Sequence, residues 1–414
     1  SVSRQVAVWN GNFQQMPVVP LPTETVAGSK IALFGISEKK VLETIGAIEI
    51  AEGLPHPVVN GEWIKQSTEL GRSYIISNFT ENEVDEMILH VKRAGLMSLY
   101  HEGPFTTWGT YAFNPKYFPN GKEGVKQSVF KAKAAGLHFG VHTLTNFINT
   151  NDPYVSPKPD ARLVKTGSSK ILQPITATSQ EIVVASPQYF NDEKNNTLHT
   201  VQIGNELIRY RAVTNSAPFT LLDCQRGAFG TTASTHGAGS EISKLLDHPY
   251  EVFFPSIAMQ NEIAKNLALL FNETGIDHMD FDGHEGGLAS GQGDYGIEAF
   301  SKAFYDNINH FVVNGTSNSK HFYWHMNTYC NWGEPWYGGF RESMQEYRIA
   351  NQALFERNYM PNMMGWYLMT STTSLAEMEW MLARAAGYNA GFAMVLRVRD
   401  AQKNPIRDEL LDAI

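Results

Sequence analysis

Residues 275–287 read GIDHMDFDGHEGG, with three aspartates, two histidines and a glutamate set around two apolar residues and ending in glycine. In an extended strand, successive side chains face opposite sides. Met279 and Phe281 then face one way, and His278, Asp280 and Asp282 the other. Two carboxylates two residues apart on one face stand roughly 6–7 Å apart at Cα. In a semi-enclosed space they repel, and their pKa values separate, so that one acid keeps its proton while the other stays ionised. Such a pair suits acid–base or nucleophilic chemistry and costs stability. Gly283 opens a turn that places His284 and Glu285 at the rim. The competing reading pairs Asp280 with an interior cation and uses Asp282 to cap the next turn. Two acids on one face plus a third at the rim favour chemistry.

Other segments carry the same mixture at strand ends. YHEGPFTTWG offers His101, Glu102 and Trp108, and GVHTLTNF offers His142 and Asn146. WHMNTYCNWGEPWYGG offers His325, Asn327, Trp332, Glu334 and Trp336, GWYLM offers Trp366, and LRVRD offers Arg397. Any one of these has a bland reading as a core aromatic or a satisfied histidine; their shared placement is the signal. Aromatic faces stack on the apolar side of a sugar ring, while carboxylates, Asn and His bind its hydroxyls. A carboxylate pair can break a glycosidic bond, as acid with base or acid with nucleophile. The catalytic candidates are therefore Asp282, Asp280, Glu285 and Glu334. The binding candidates are His101, Glu102, Trp108, His142, Asn146, His284, His325, Asn327, Trp332, Trp336, Trp366 and Arg397. No phosphate-binding glycine loop, G-x-S-x-G elbow or compact Cys/His zinc spacing occurs, so no cofactor and no metal are expected. Two rivals remain: a metal-assisted hydrolase built on His101, Glu102, His142, Asp282 and His284, and a non-catalytic carbohydrate-binding barrel.

The elements that must position these residues alternate. Strand-like runs at 74–79, 97–103, 138–144, 276–283, 321–328, 362–369 and 390–398 are separated by helical patterns at 80–95, 124–137, 256–275, 295–312, 340–358 and 374–388. Alternation at this spacing means βαβ units and a parallel sheet. The predicted fold class is α/β, a (β/α)8 TIM-type barrel whose eighth strand lies at 30–36 or beyond Ile414, or which is otherwise open. Between 144 and 256 the pattern turns to short alternating β runs, which predicts a small β-rich domain inserted in a βα loop. The expected organisation is an N-terminal accessory segment at 1–70, barrel at 71–164, the inserted β domain at 165–245, and the rest of the barrel at 246–414.

Composition narrows the classes. With 414 residues and 43% hydrophobic content the chain can bury a large core. A net charge of −9 argues against a nucleic-acid surface. No apolar run of about 18 residues predicts a membrane span. The two cysteines, Cys224 and Cys330, are expected as free thiols. Four Asn-x-Thr sequons, at Asn78, Asn195, Asn272 and Asn314, are within what chance produces. Action on a polysaccharide carries the expectation of a secreted or periplasmic site.

Two motifs resemble a known family. YFPNGKEGVKQSVFKAKAAGLHFGVHT resembles the stretch of α-galactosidase-like (melibiase-like) barrels in which an FP-x-G turn leads into a helix and then a GLKFG strand. GIDHMDFDG resembles the next strand of those enzymes, a GxDYxKxD pattern ending in the nucleophilic Asp. The resemblance spans about 115–145 and 270–285. It implies that Asp282 is the nucleophile and that Asp280 stands where the family has Lys. The family's acid is an Asp after the sixth strand, where this chain reads GWYLMTSTTS, without a carboxylate. Glu285 and Glu334 are the substitutes from this sequence, with Glu102 a third. The implied activity is glycoside hydrolysis of a poly- or oligosaccharide, the sugar unspecified.

Overall fold

A computed structural model describes residues 5–7, 15–17, 27–191, 197–316, 321–330, 342–361 and 363–414. Eight parallel strands form a nearly closed barrel: β1 (Tyr74–Ser77), β2 (Ser98–His101), β3 (His138–Leu144), β4 (His278–Asp282), β5 (Val313–Thr316), β6 (Tyr329–Cys330), β7 (Met363–Leu368) and β8 (Gly391–Val395). They are ordered β6-β5-β4-β3-β2-β1-β8-β7. A backbone hydrogen bond of 2.9 Å from Cys330 N to the Pro361 carbonyl draws the two outer strands together.

Around the strands run α2 (Val84–Arg93), α3 (Gly121–Ala134), α4 (Ile257–Thr274), α5 (Asp294–Tyr305), the short α6 (His321–Trp324), α7 (Glu342–Arg357) and α8 (Leu375–Gly387). The helical spacing of Val84, Met87, Ile88 and Val91 does put those side chains on the buried face of α2. Gly275 ends α4 with φ 80°, a left-handed cap that glycine adopts without strain. The start of α8 is fixed by a reciprocal cap between Ser374 and Glu377. No helix among the described residues is long and apolar enough to cross a membrane.

Strand alternation sorts the core into two layers. Ile75, Leu99, Phe139, Val141, Met279, Phe281 and Met394 face the helices. Tyr74, Ile76, Tyr100, Val313, Tyr329, Met363, Ala393 and Val395 fill the barrel interior. Phe281 is fully buried against Phe300, Phe304 and Tyr323, and burial of a ring like this stabilises the fold by about 1.5–3 kcal/mol.

Two strand expectations are corrected. The aromatic run HFYWHMNT at 321–328 is not a strand: His321–Trp324 is a helical turn, and β6 begins only at Tyr329. Tyr323 of that turn packs against Phe281, so its aromatic character serves the helix–barrel interface. The eighth strand is neither at 30–36 nor beyond Ile414. It is β5, Val313–Thr316, in a segment whose Asn and Gly obscure its strand character. Residues 30–36 have no regular structure, and Ile31 and Leu33 are exposed; α1 (Val41–Glu52) follows.

Between β3 and β4 the chain runs through antiparallel strands. Lys165–Lys170, Thr200–Ile203, Glu206–Arg209 and Glu241–Leu245 make one sheet. Ile182–Val183, Ala212–Val213 and Thr220–Leu222 make another. They share an apolar cluster, with Ile171, Val201, Ile208, Leu221 and Ile242 at its centre. A buried Glu206 carboxylate, bound by Arg226 and His236 at 2.8 and 2.7 Å, ties two of its loops together.

Candidate active site

The site is built on β4. In a parallel sheet, registered neighbours share a face, so the pairing of Asp280 with His142 on β3 and Gly315 on β5 fixes what surrounds it. His278, Asp280 and Asp282 all point inward, as their alternation with Met279 and Phe281 requires. The interior is tightly filled. A side chain at Gly315 would fall on the Asp280 carboxylate and the Tyr329 ring, and one at Gly140 on Tyr100 and His278.

Asp282 is the upper acid. Its carboxylate is 30% exposed and sits 3.1 Å from Nε2 of His142. The Gly283 N–H donates to its Oδ1 at 2.8 Å, and its own carbonyl accepts from Thr145 N and Oγ1 at 2.9 and 3.1 Å. Gly283 has φ 68°, and a Cβ there would strike the Phe147 ring, so glycine alone permits this turn. Burial pushes the Asp282 pKa up. The His142 hydrogen bond and charge, the Gly283 N–H and the His284 charge outweigh burial and leave it below the ordinary carboxylate range.

Asp280 is the lower acid and is 5% exposed. Tyr329 donates to its Oδ1 at 2.6 Å and Tyr74 to its Oδ2 at 3.2 Å, while its N–H donates to the Tyr100 hydroxyl at 3.2 Å. Burial dominates and raises its pKa to about 6, against the pull of Tyr329, His142 and Tyr74 and with a push from Asp282. The two aspartates are therefore split in the manner expected of a buried and a partly solvated acid. Below them His278 is fully buried, 2.9 Å from Ser98 Oγ and 2.7 Å from Tyr329 Oη, and burial holds it well below the usual histidine range. The third aspartate, Asp277, lies at the other end of the strand, where it accepts from Phe139 N at 2.9 Å and meets His138 at 3.0 Å.

The remaining candidates divide by place. Trp366 enters the interior from β7 and meets the His142 ring edge-on at 5.8 Å. Asn146 is fully buried and donates to the His284 carbonyl at 3.0 Å; its Oδ1 has no hydrogen-bond partner among the described residues. His284 is buried rather than at the rim, against Tyr323. Glu102 and Arg397 form an ion pair at 3.0 Å after β2 and β8, with β1 between them. Trp108 packs on Phe147 beside the loop after β3.

Three expectations about placement are corrected. His101 faces the helices: it is fully buried, hydrogen-bonded to the Phe79 carbonyl at 2.9 Å, and burial drives its pKa down to about 3. It therefore cannot join Asp282 as a ligand or substrate contact. His325 and Asn327 precede β6 instead of following a strand, which puts them at the N-terminal end of the barrel, away from Asp282. There His325 meets Glu49 at 2.5 Å and the Asn327 carbonyl accepts from Lys65 at 2.6 Å. Trp332, Glu334 and Trp336 lie outside the described residues, as does the side chain of Glu285. Among the described residues no group of three or more His, Cys, Asp or Glu side chains is arranged to hold a metal ion.

No family model and no curated protein matches the sequence. Solved structures with a similar arrangement include the α-galactosidase of Thermus thermophilus in complex with stachyose, at 11% identity and TM-score 0.46 over 90% of this chain and 68% of that one. Another is the α-galactosidase of Lactobacillus brevis, at 11% identity and TM-score 0.44 over 84% of this chain and 40% of that one. Pyruvate kinase of Cryptosporidium parvum is also similar, at 9% identity and TM-score 0.38 over 89% of this chain and 71% of that one. The first two bear the activity name of the family that the two sequence motifs resemble. Likeness at this level says nothing about chemistry, as the pyruvate kinase makes plain.

Sequence reading missed the tyrosines Tyr74, Tyr100 and Tyr329, which enclose Asp280. The available signal was parity. Tyr74 and Ile76 alternate with Ile75 and Ser77, so Tyr74 had to face either the helices or the interior, and only the tertiary arrangement chooses.

Proposed function

We propose that this protein is a glycoside hydrolase acting on a poly- or oligosaccharide, with Asp282 as the reacting carboxylate at the C-terminal mouth of a (β/α)8 barrel. One observation carries the reading. Of two acids on one strand face, the outer one is partly exposed, held ionised and aimed by His142 and the Gly283 N–H, while the inner one is sealed among tyrosines. An ionised carboxylate fixed in this way can attack an anomeric carbon or orient a water toward it. Trp366 beside His142 offers a face for a sugar ring. Protonation of the leaving oxygen falls to Glu285 or Glu334. In this reading residues 165–245 form an inserted β domain that shapes the substrate cleft, since loops after barrel strands build the active-site face.

The test is a panel of poly- and oligosaccharides read by released reducing sugar and product mass, with wild type and Asp282→Asn. Wild type is expected to cleave at least one glycan, and the variant to lose roughly two orders of magnitude or more in rate. Equal cleavage by both removes Asp282 from the chemistry. Products from wild type name the sugar and the linkage.

A further inference from the structure

Asp280 is only 5% exposed, and its surroundings are built around a charge. Among the described residues, each element around it presents a defined group. β1 gives the Tyr74 hydroxyl, β2 the Tyr100 hydroxyl, β3 the His142 imidazole, and β4 its own His278 and Asp282. β5 gives only the backbone of Gly315, β6 the Tyr329 hydroxyl, and α6 Tyr323, whose own ionisation Asp280 opposes. β7 gives Trp366, and β8 gives the apolar Ala393 and Val395.

We propose that Asp280 is a positioning residue whose negative charge, fixed beneath the mouth by Tyr329 and Tyr74, keeps the His142 imidazole protonated and donating to Asp282. The inference rests on the reading of Asp282 as the reacting group. Tyr329 Oη gives its proton to Asp280 Oδ1 at 2.6 Å and lies 2.7 Å from His278 Nε2. On its other side His278 Nδ1 lies 2.9 Å from Ser98 Oγ, which donates to the His138 carbonyl at 3.2 Å. The Tyr329 and Tyr74 hydroxyls thus deliver donors to Asp280 and stabilise its ionised form.

His142 is paired with Asp280 in the strand register and bonded to Asp282 through Nε2. Its charge acts on both carboxylates, with that of His284 also acting on Asp282. A second negative charge at Asp280 raises the proton affinity of His142. Burial opposes that charge, which is why Asp280 itself titrates near 6. Over the range where Asp280 ionises, the proton on His142 is therefore held more firmly, and the donor to Asp282 persists to higher pH.

The measurement is the imidazole titration of His142 followed by NMR, assigned by difference against His142→Gln, in wild type, Asp280→Asn and Tyr329→Phe. Asn keeps the shape and the acceptor for Tyr329 but carries no charge, so a purely structural role leaves the titration unmoved. The expected result is a midpoint lower in Asp280→Asn by roughly one pH unit. A smaller fall is expected in Tyr329→Phe, where Asp280 loses a donor and keeps its own proton to higher pH. An unchanged midpoint in whichever variants fold overturns the proposal. The readout needs no substrate, so it stays separate from the glycan panel. If the midpoint shifts but Asp282→Asn still cleaves as wild type does, the positioning stands and the hydrolase reading falls.

Discussion

At the scale of the residue, burial and donors decide what each acid does. Asp282 and Asp280 differ by two positions, yet one has a solvated edge and two donors, while the other has none of the first and is enclosed by aromatic hydroxyls. The consequence for stability has a definite sign. Asp280 titrates near 6 in the folded chain against an ordinary 3.8, so the folded state binds that proton more tightly. Its contribution is then most favourable at low pH, falls as pH rises from about 4 to 6, and levels off above, a swing of about 3 kcal/mol. Asp282 runs the other way: its lowered pKa supplies stability above the ordinary carboxylate range that is lost on acidification. Asp280→Asn removes the first effect. Thermal melts of variant and wild type across pH 4 to 7.5 are expected to show the variant gaining relative to wild type as pH rises. A constant difference across that range contradicts the buried-charge account.

At the scale of the element, β5 shows why a strand can be invisible in sequence. Its four residues, VNGT, include two that are poor strand formers, and Gly315 is there because Asp280 and Tyr329 already fill the space a side chain would need. The requirement comes from β4 and β6, which lie 35 residues before and 14 after it in Asp280 and Tyr329. Gly315→Ala must displace the carboxylate or the ring. The expected cost is roughly 1–3 kcal/mol in urea unfolding, together with lost glycan cleavage, because β4 moves. A variant as stable and active as wild type means that the interior is looser than its contacts indicate. A misplaced strand start explains His325 and Asn327. Reading 321–328 as a strand places them at its C-terminal end; starting β6 at Tyr329 puts them at the opposite face of the barrel.

At the scale of the molecule, the two ends of the barrel hold different groups. The C-terminal mouth holds Asp282, His142 and Trp366. The N-terminal end holds Glu49 of α1, fully buried between His56 at 2.7 Å and His325 at 2.5 Å, with Lys65 bonded to Asn327 and lying over the Trp324 ring at 4.6 Å. Polar groups sealed at that end fasten α1 to the barrel floor. Glu49→Ala leaves two histidines without their shared acceptor, and the expected loss is about 2–4 kcal/mol in urea unfolding. Cleavage by the folded fraction is expected to match wild type, since in the proposed reading the floor serves stability and the mouth serves chemistry. Reduced cleavage at unchanged stability removes that division of labour.

Some of this was legible without a fold. Helix and strand periods locate six of the eight barrel strands, because each carries an apolar face long enough to show its period, and the inward parity of His278, Asp280 and Asp282 follows from Met279 and Phe281 needing cover. Gly283 marks the turn after them. The tertiary structure decided the rest. It chose β5, whose sequence is dictated by neighbours remote in the chain. It turned His101 toward the helices and moved His325 and Asn327 to the far end. It also enclosed Asp280 with Tyr74, Tyr100 and Tyr329, from three separate strands. Local sequence encodes which face of an element is apolar; what stands opposite that face is set by closure of the barrel, and the charge state of each acid follows from it.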